Sequence, residues 1–123
     1  MIEPMKQNQN VSFVERRTYA RVPFTHKLMV LDMNTGHKFE GNGIDISVMG
    51  IGFYSRKLFQ KEHHVQIQVW LDGGENVDPV LISGTVKWSK PEQDGGIMGV
   101  QFDMLIKASD HPDLYEQICK KEV

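Results

Sequence analysis

The feature that most constrains the fold is a series of short β-forming segments separated by turn residues. The clearest one is HHVQIQVWLD (63–72), in which apolar residues recur at Val65, Ile67, Val69 and Leu71. Alternation with a period of two is typical of a strand that buries one face. The stretch GGEN (73–76) follows at once and has the composition of a loop. A strand followed by a turn is therefore predicted here.

Five further segments have a similar composition. The predicted strands are RVPFTHKLMVLDM (21–33), HKFEGNGIDIS (37–47), IGFYS (51–55), PVLISGTVKWSK (79–90) and IMGVQFDM (97–104). Turn signals separate them at NTG (34–36), VMG (48–50) and PEQDGG (91–96). Gly84, inside the fifth strand, suggests a bulge or a bend. About six short strands at such spacing predict an all-β sandwich or a small barrel, and closure into a barrel removes exposed edges.

The end of the chain has a different pattern. In SDHPDLYEQICKKEV (109–123), Leu114, Ile118 and Cys119 fall at helical spacing, and Ser109 or Asp110 is a candidate N-cap. Two lysines close the segment, where positive charge favours a helix end. We expect one C-terminal helix over 109–123, packed against the barrel.

Bulk properties limit the classes of function. A length of 123 residues fits one domain, and a net charge of −2 argues against general attraction to nucleic acid or to an anionic bilayer. A single cysteine excludes an intrachain disulfide and fits a reducing compartment. The sequence has neither a membrane-length apolar run nor the apolar stretch of a secretory signal. We expect a cytoplasmic protein without membrane insertion, with residues 1–14 as a mobile tail.

Two separate segments carry groups suited to one anionic ligand. The first, ERRTYAR (15–21), concentrates Arg16, Arg17 and Arg21 in an otherwise acidic chain. The second, GIDISVMGIGF (43–53), contains Asp45 and Ser47, which are expected side by side on the outer face of an extended strand. Their neighbours Ile44 and Ile46 are expected to point into the core. Gly50 follows, where a bare backbone permits a turn or a close approach.

The chemistry of these groups favours a guanine nucleotide. An arginine fork matches phosphate oxygens and also the O6 and N7 atoms of guanine. The N1–H and N2 groups of guanine need an acceptor, which Asp45 supplies, while Ser47 can accept or donate. Structural roles remain open as well: Asp45 can accept a turn N–H, Ser47 can form a hydroxyl turn, and the arginines can be a solvated basic loop.

The order of these motifs resembles a known family. RRTYAR followed by DISVMG is similar to the paired signature of PilZ domains, RRxxxR and D/N-x-S-x-x-G. GTVKW (84–88) and GIMGVQF (96–102) are similar to the late strands of that family, so the resemblance covers roughly residues 14–105. It implies a six-stranded antiparallel PilZ-type β-barrel over 15–108, including the arginine segment, with cyclic di-GMP as its ligand. Arg17 and Arg21 match the RxxxR pair, with Arg16 in front. Asp45, Ser47 and Gly50 match the second motif without departure.

Trp88 and the histidines allow more than one interpretation. Trp88 shares a face with Gly84 and Val86 in a regular strand, so a core or barrel-end role is the default; the resemblance adds the possibility that its indole stacks on a purine. The histidines at 26, 37, 63 and 64 match no zinc spacing. No nucleophile–base pair or phosphate-binding loop is evident. We expect no enzyme activity, metal or cofactor.

Three functional hypotheses remain. The first is a cyclic di-GMP receptor that orders its arginine-bearing segment on ligand binding and signals to a partner protein. The second is a PilZ-like interaction module that binds no nucleotide. The third is a barrel that binds single-stranded nucleic acid, which the acidic net charge and the assignment of most aromatics to the core oppose.

Overall fold

The computed structural model describes residues 20–71 and 78–122. The predicted tail over 1–14, Arg16 and Arg17 lie outside these residues. The described elements are β1 (Val22–Pro23), β2 (Lys27–Asp32), β3 (Lys38–Ile46), β4 (Gly50–Ser55), β5 (His64–Val69), β6 (Val80–Glu92), β7 (Gly95–Phe102) and the helix α1 (Pro112–Glu122).

Six of the described strands form a closed antiparallel barrel. Around the ring the order is β3, β2, β5, β6, β7 and β4, and β4 pairs again with β3. The prediction of a six-stranded antiparallel barrel is therefore confirmed. β1 is an additional short strand that pairs with the end of β3. The sequence placed β1 and β2 in one strand, but the chain is interrupted between them, at residues 24–26.

Alternating side chains fill the barrel. Val65, Ile67 and Val69 of β5 are all buried, as their spacing predicted, and Leu28 and Val30 of β2 meet them from the neighbouring strand. α1 contributes Leu114 and Ile118 to the same core, which confirms that the helix packs on the barrel. The helix begins at Pro112, after the two predicted N-cap residues, and proline is favoured at a first helical position.

Two irregularities interrupt the alternation. One lies in β3 between Gly43 and Asp45, and the other in β6 between Val86 and Trp88. Ile44 is consequently 41% exposed, so the prediction that it points into the core is wrong. Trp88 is 47% exposed, which contradicts the default core placement. The sequence suggested a bulge or a bend at Gly84, but the irregularity in β6 lies further along the strand, between Val86 and Trp88.

Candidate functional site

The outer wall of the barrel carries an open cleft of about 300 Å³ where β4, β6 and β7 meet the segment before β1. Four predicted ligand-binding residues line it: Arg21, Ser47, Gly50 and Trp88. Asp45 reaches the same place through its contact with Arg21. The structure thus brings together all the predicted site residues that lie within the described part of the chain.

Arg21 owes its position to β1. Val22 pairs with Ile46 and Pro23 with Asp45, which lays the segment along the end of β3. Arg21 Nη1 donates a hydrogen bond to Asp45 Oδ1 at 2.9 Å. The two side chains are 44% and 38% exposed, so this ion pair is worth only about 0–1 kcal/mol. A ligand with its own negative charge can compete for the arginine.

The Asp45 carboxylate lies over a glycine that the sequence analysis missed. A Cβ added to Gly52 would be 2.7 Å from Asp45 Oδ1, closer than real Cβ atoms come. Gly52 pairs with Asp45 across β3 and β4, immediately after the irregularity in β3. The small residue in the sequence GIGF therefore leaves room for the carboxylate on the outer surface.

Ser47 lies beyond the end of β3 and is buried, so the prediction that it stands exposed beside Asp45 on the outer face is wrong. The residue is only 2% exposed, although it lines the cleft. Its Oγ accepts a hydrogen bond from the Met49 N–H at 3.1 Å, and its own N–H donates to the Gly50 carbonyl at 2.9 Å. The hydroxyl turn considered from the sequence is present. A hydroxyl that accepts a hydrogen bond still has its own proton, so Ser47 retains a donor at the cleft.

Gly50 is required by the sheet itself. It pairs with Gln101, and a Cβ at this position would collide with the carbonyl oxygen of Val100. The glycine of the second motif therefore permits β4 and β7 to approach closely at the edge of the cleft.

The Trp88 indole packs against Gly99, its partner residue on β7. A Cβ added to Gly99 would collide with the indole ring, and Gly99 also lines the cleft. Sequence reasoning missed Gly99 and also Lys87, which precedes Trp88; both line the cleft. Both residues belong to segments singled out in the sequence, GIMGVQF and GTVKW. The sequence did not reveal the irregularity in β6 that turns Lys87 and Trp88 outward.

Three of the five histidines lie within hydrogen-bonding distance of another side chain. His63 Nδ1 lies 2.9 Å from Asp32 Oδ2, and His26 Nε2 lies 3.1 Å from Gln117 Oε1. His64 Nδ1 is 3.2 Å from Thr85 Oγ1. Within residues 20–71 and 78–122, no three His, Cys, Asp or Glu side chains are grouped so that they could hold a metal ion. The helix in this part of the chain is too short and too polar to cross a membrane.

Comparison with known proteins identifies the class. The PilZ domain family model matches residues 15–117, so the chain belongs to the PilZ domain family. Domains of this family are receptor and adaptor modules. The resemblance noted from the paired motifs is thereby confirmed.

Solved structures share the fold at low sequence identity. The inhibitor of motility MotI (DgrA) of Bacillus subtilis is 16% identical with a TM-score of 0.66, and the match covers 87% of this chain but only 51% of that one. The PilZ domain of YcgR from Escherichia coli, solved with c-di-GMP, is 14% identical with a TM-score of 0.64, covering 87% and 92%. The PilZ domain of CeSA from a cellulose-synthesizing bacterium is 15% identical with a TM-score of 0.54, covering 84% and 98%.

The present chain thus spans about half the length of MotI. No curated protein sequence gives a significant match.

Proposed function

We propose that this protein is a cyclic di-GMP receptor without catalytic activity. The observation that supports this most directly is the meeting of the two motifs. Arg21 and Asp45, 24 residues apart in the chain, are 2.9 Å apart beside a cleft that Ser47, Gly50 and Trp88 line. The PilZ domain of YcgR, which shares the fold, was solved with c-di-GMP, and this supports the same ligand class here.

Each side chain has a role that its chemistry allows. Arg21, with Arg16 and Arg17 from the same segment, binds the phosphates and the O6 and N7 atoms of guanine. Asp45 accepts hydrogen bonds from guanine N1–H and N2, and Ser47 donates its hydroxyl proton. The exposed Trp88 indole offers a face on which a purine can stack.

Ligand binding signals by changing the protein surface that a partner contacts. The ligand bridges the arginine segment to the barrel wall and orders that segment, which alters what a partner protein meets. Ordering costs about 1–2 kcal/mol for each backbone residue fixed, so several charge-assisted contacts must offset it. The binding unit is the barrel with its arginine segment, residues 15–108, and the segment 109–123 supports it.

Calorimetric titration with cyclic di-GMP, cyclic di-AMP, GTP and cyclic GMP tests this function. Of these four nucleotides, we expect only cyclic di-GMP to bind at low nucleotide concentration. Arg17→Ala and Arg21→Ala are each expected to raise Kd about tenfold or more, equivalent to roughly 1.5–3 kcal/mol. Arg56→Ala, an exposed arginine outside the cleft, is the matched control and should leave Kd unchanged.

Two results would contradict the proposal in different ways. Unchanged affinity in both Arg17→Ala and Arg21→Ala would refute the assigned site. No heat with any cyclic dinucleotide, from protein whose folding is verified by circular dichroism, would favour the interaction module that binds no nucleotide.

A further inference from the structure

Lys87 is a cation of the cleft that neither motif includes. It lies on β6, lines the cleft beside Trp88, and is 46% exposed. Its Nζ is 3.6 Å from Glu62 Oε1, on the connection between β4 and β5. The cleft therefore has a second cation besides Arg21, and each is balanced by one carboxylate in this structure.

We propose that Lys87 is a further phosphate-binding residue of this cleft, and that Glu62 competes with the ligand for it. The inference rests on the proposed function, because it assigns a contact to the same ligand. Lysine binds phosphate as a point charge, which complements the directional fork of arginine. Exposed lysine–carboxylate pairs are weak, so a ligand phosphate in the cleft can replace Glu62.

The backbone explains why Lys87 faces the cleft. The register of β6 against β7 shifts between Val86 and Trp88, so Lys87 has no partner residue on β7. In a regular strand, one of two consecutive side chains points inward, but here Lys87 and Trp88 are both exposed. Bulges of this kind occur beside functional sites, where they redirect side chains.

The connection from β4 to β5 supports this bulge. The Glu62 N–H donates to the Val86 carbonyl at 2.7 Å, and the Val86 N–H donates to the His63 carbonyl at 2.9 Å. Glu62 adopts a φ of 72°, in the left-handed region that is unfavourable for glutamate. The backbone bonds hold the main chain of Glu62 in this conformation, and its exposed side chain extends from there to Lys87.

A second lysine–glutamate pair provides a matched control. Lys90 Nζ lies 3.8 Å from Glu92 Oε2 on the same strand, and neither residue lines the cleft. Calorimetric titration with cyclic di-GMP compares Lys87→Ala, Glu62→Gln, Lys90→Ala and Glu92→Gln in the full chain. We expect Lys87→Ala to raise Kd about tenfold and Glu62→Gln to lower it about threefold, since removing Glu62's charge frees the lysine. Both controls should stay within about twofold of the unaltered protein.

Two further measurements separate charge from packing. Lys87→Arg keeps the charge and should restore Kd to within about threefold of the unaltered protein, whereas Lys87→Gln should resemble Lys87→Ala. The effect of Lys87→Ala should also shrink at 0.5 M salt, because added ions screen an exposed charge contact. Circular dichroism establishes that each variant is folded.

The failures of the two proposals are distinguishable. If Arg21→Ala loses affinity while Lys87→Ala binds as tightly as the unaltered protein, the role of Lys87 is wrong and the receptor function stands. An equal loss in Lys87→Arg and Lys87→Ala would also overturn it, because shape and not charge would then matter. If the unaltered protein binds no cyclic dinucleotide, both proposals fail.

Discussion

Asp32, the last residue of β2, has a buried carboxyl group, although charged side chains usually remain exposed to water. Burial acts to raise its pKa, but the hydrogen bond with His63 and the N–H groups of Asn34 and Thr35 outweigh burial, so the pKa of Asp32 lies below its ordinary value. His63 also follows Glu62, the residue that adjoins Lys87. A single carboxylate thus anchors the connection that supports one wall of the cleft.

We predict that Asp32→Asn lowers the free energy of unfolding by about 1–3 kcal/mol at pH 7, because an amide replaces a carboxylate that accepts several hydrogen bonds. A carboxyl whose pKa is depressed on folding contributes stability above its unfolded pKa of about 4. That contribution is lost as the pH falls through the lower folded pKa. The difference between Asp32→Asn and the unaltered protein should therefore shrink below about pH 4.

Urea unfolding at pH 7, 5 and 3 measures this difference. Asp103→Asn, at an exposed aspartate after β7, is the control and should change stability little at every pH. A penalty for Asp32→Asn that stays constant from pH 7 to 3 would show that the charge of Asp32 contributes nothing.

At the scale of elements, β1 is a very short strand with a large consequence for the cleft. Val22 is buried in the core, and the Phe24 N–H donates to the Ile44 carbonyl at 3.0 Å. These contacts fix the chain directly after Arg21. Since Arg21 is itself exposed, its position depends on β1 more than on its own packing.

Val22→Ala is expected to lower the free energy of unfolding by about 2 kcal/mol, from lost burial and a small cavity. It should also raise Kd for cyclic di-GMP about fivefold, because Arg21 loses its fixed register. Val65→Ala makes the same deletion at a buried residue of β5 away from the cleft, so it should cost similar stability with unchanged Kd. Equal Kd values for the two variants would show that β1 does not position Arg21.

Alternation predicted the strands well but failed at Ile44, next to Asp45, and at Trp88, which lines the cleft. The pattern of Val65, Ile67 and Val69 is regular, and its burial follows. Ile44 and Trp88 violate the pattern because each lies at a register shift, where an unpaired residue reverses the faces beyond it. A shift depends on hydrogen bonds to distant strands, so local sequence does not reveal it. The paired motifs nevertheless located Arg21, Asp45 and Ser47 at one place, whereas the position of Trp88 beside them depended on the shift in β6.

At the scale of the whole molecule, the cleft exists only when the ring is closed. Its walls come from the segment before β1, the β3–β4 connection, and strands β4, β6 and β7, which are distant in sequence. Six strands with turns between them predicted a sandwich or a small barrel, and closure was favoured because an open sheet of this size would leave edges unpaired. The order of strands around the ring determines which strands meet at the cleft. That order depends on pairing between distant segments, so no single segment predicts it.

Because only the folded ring assembles these walls, cyclic di-GMP should stabilise the entire domain. A ligand that binds the folded state alone at 100 times its Kd adds about 2.7 kcal/mol, which for a domain of this size raises Tm by roughly 10 °C. Differential scanning calorimetry of Val65→Ala should give a lower Tm in the absence of ligand but the same increment in stability, because the substitution lies away from the cleft and independent effects add. If cyclic di-GMP no longer stabilises Val65→Ala, ligand binding depends on the packing of the core as well as on the cleft.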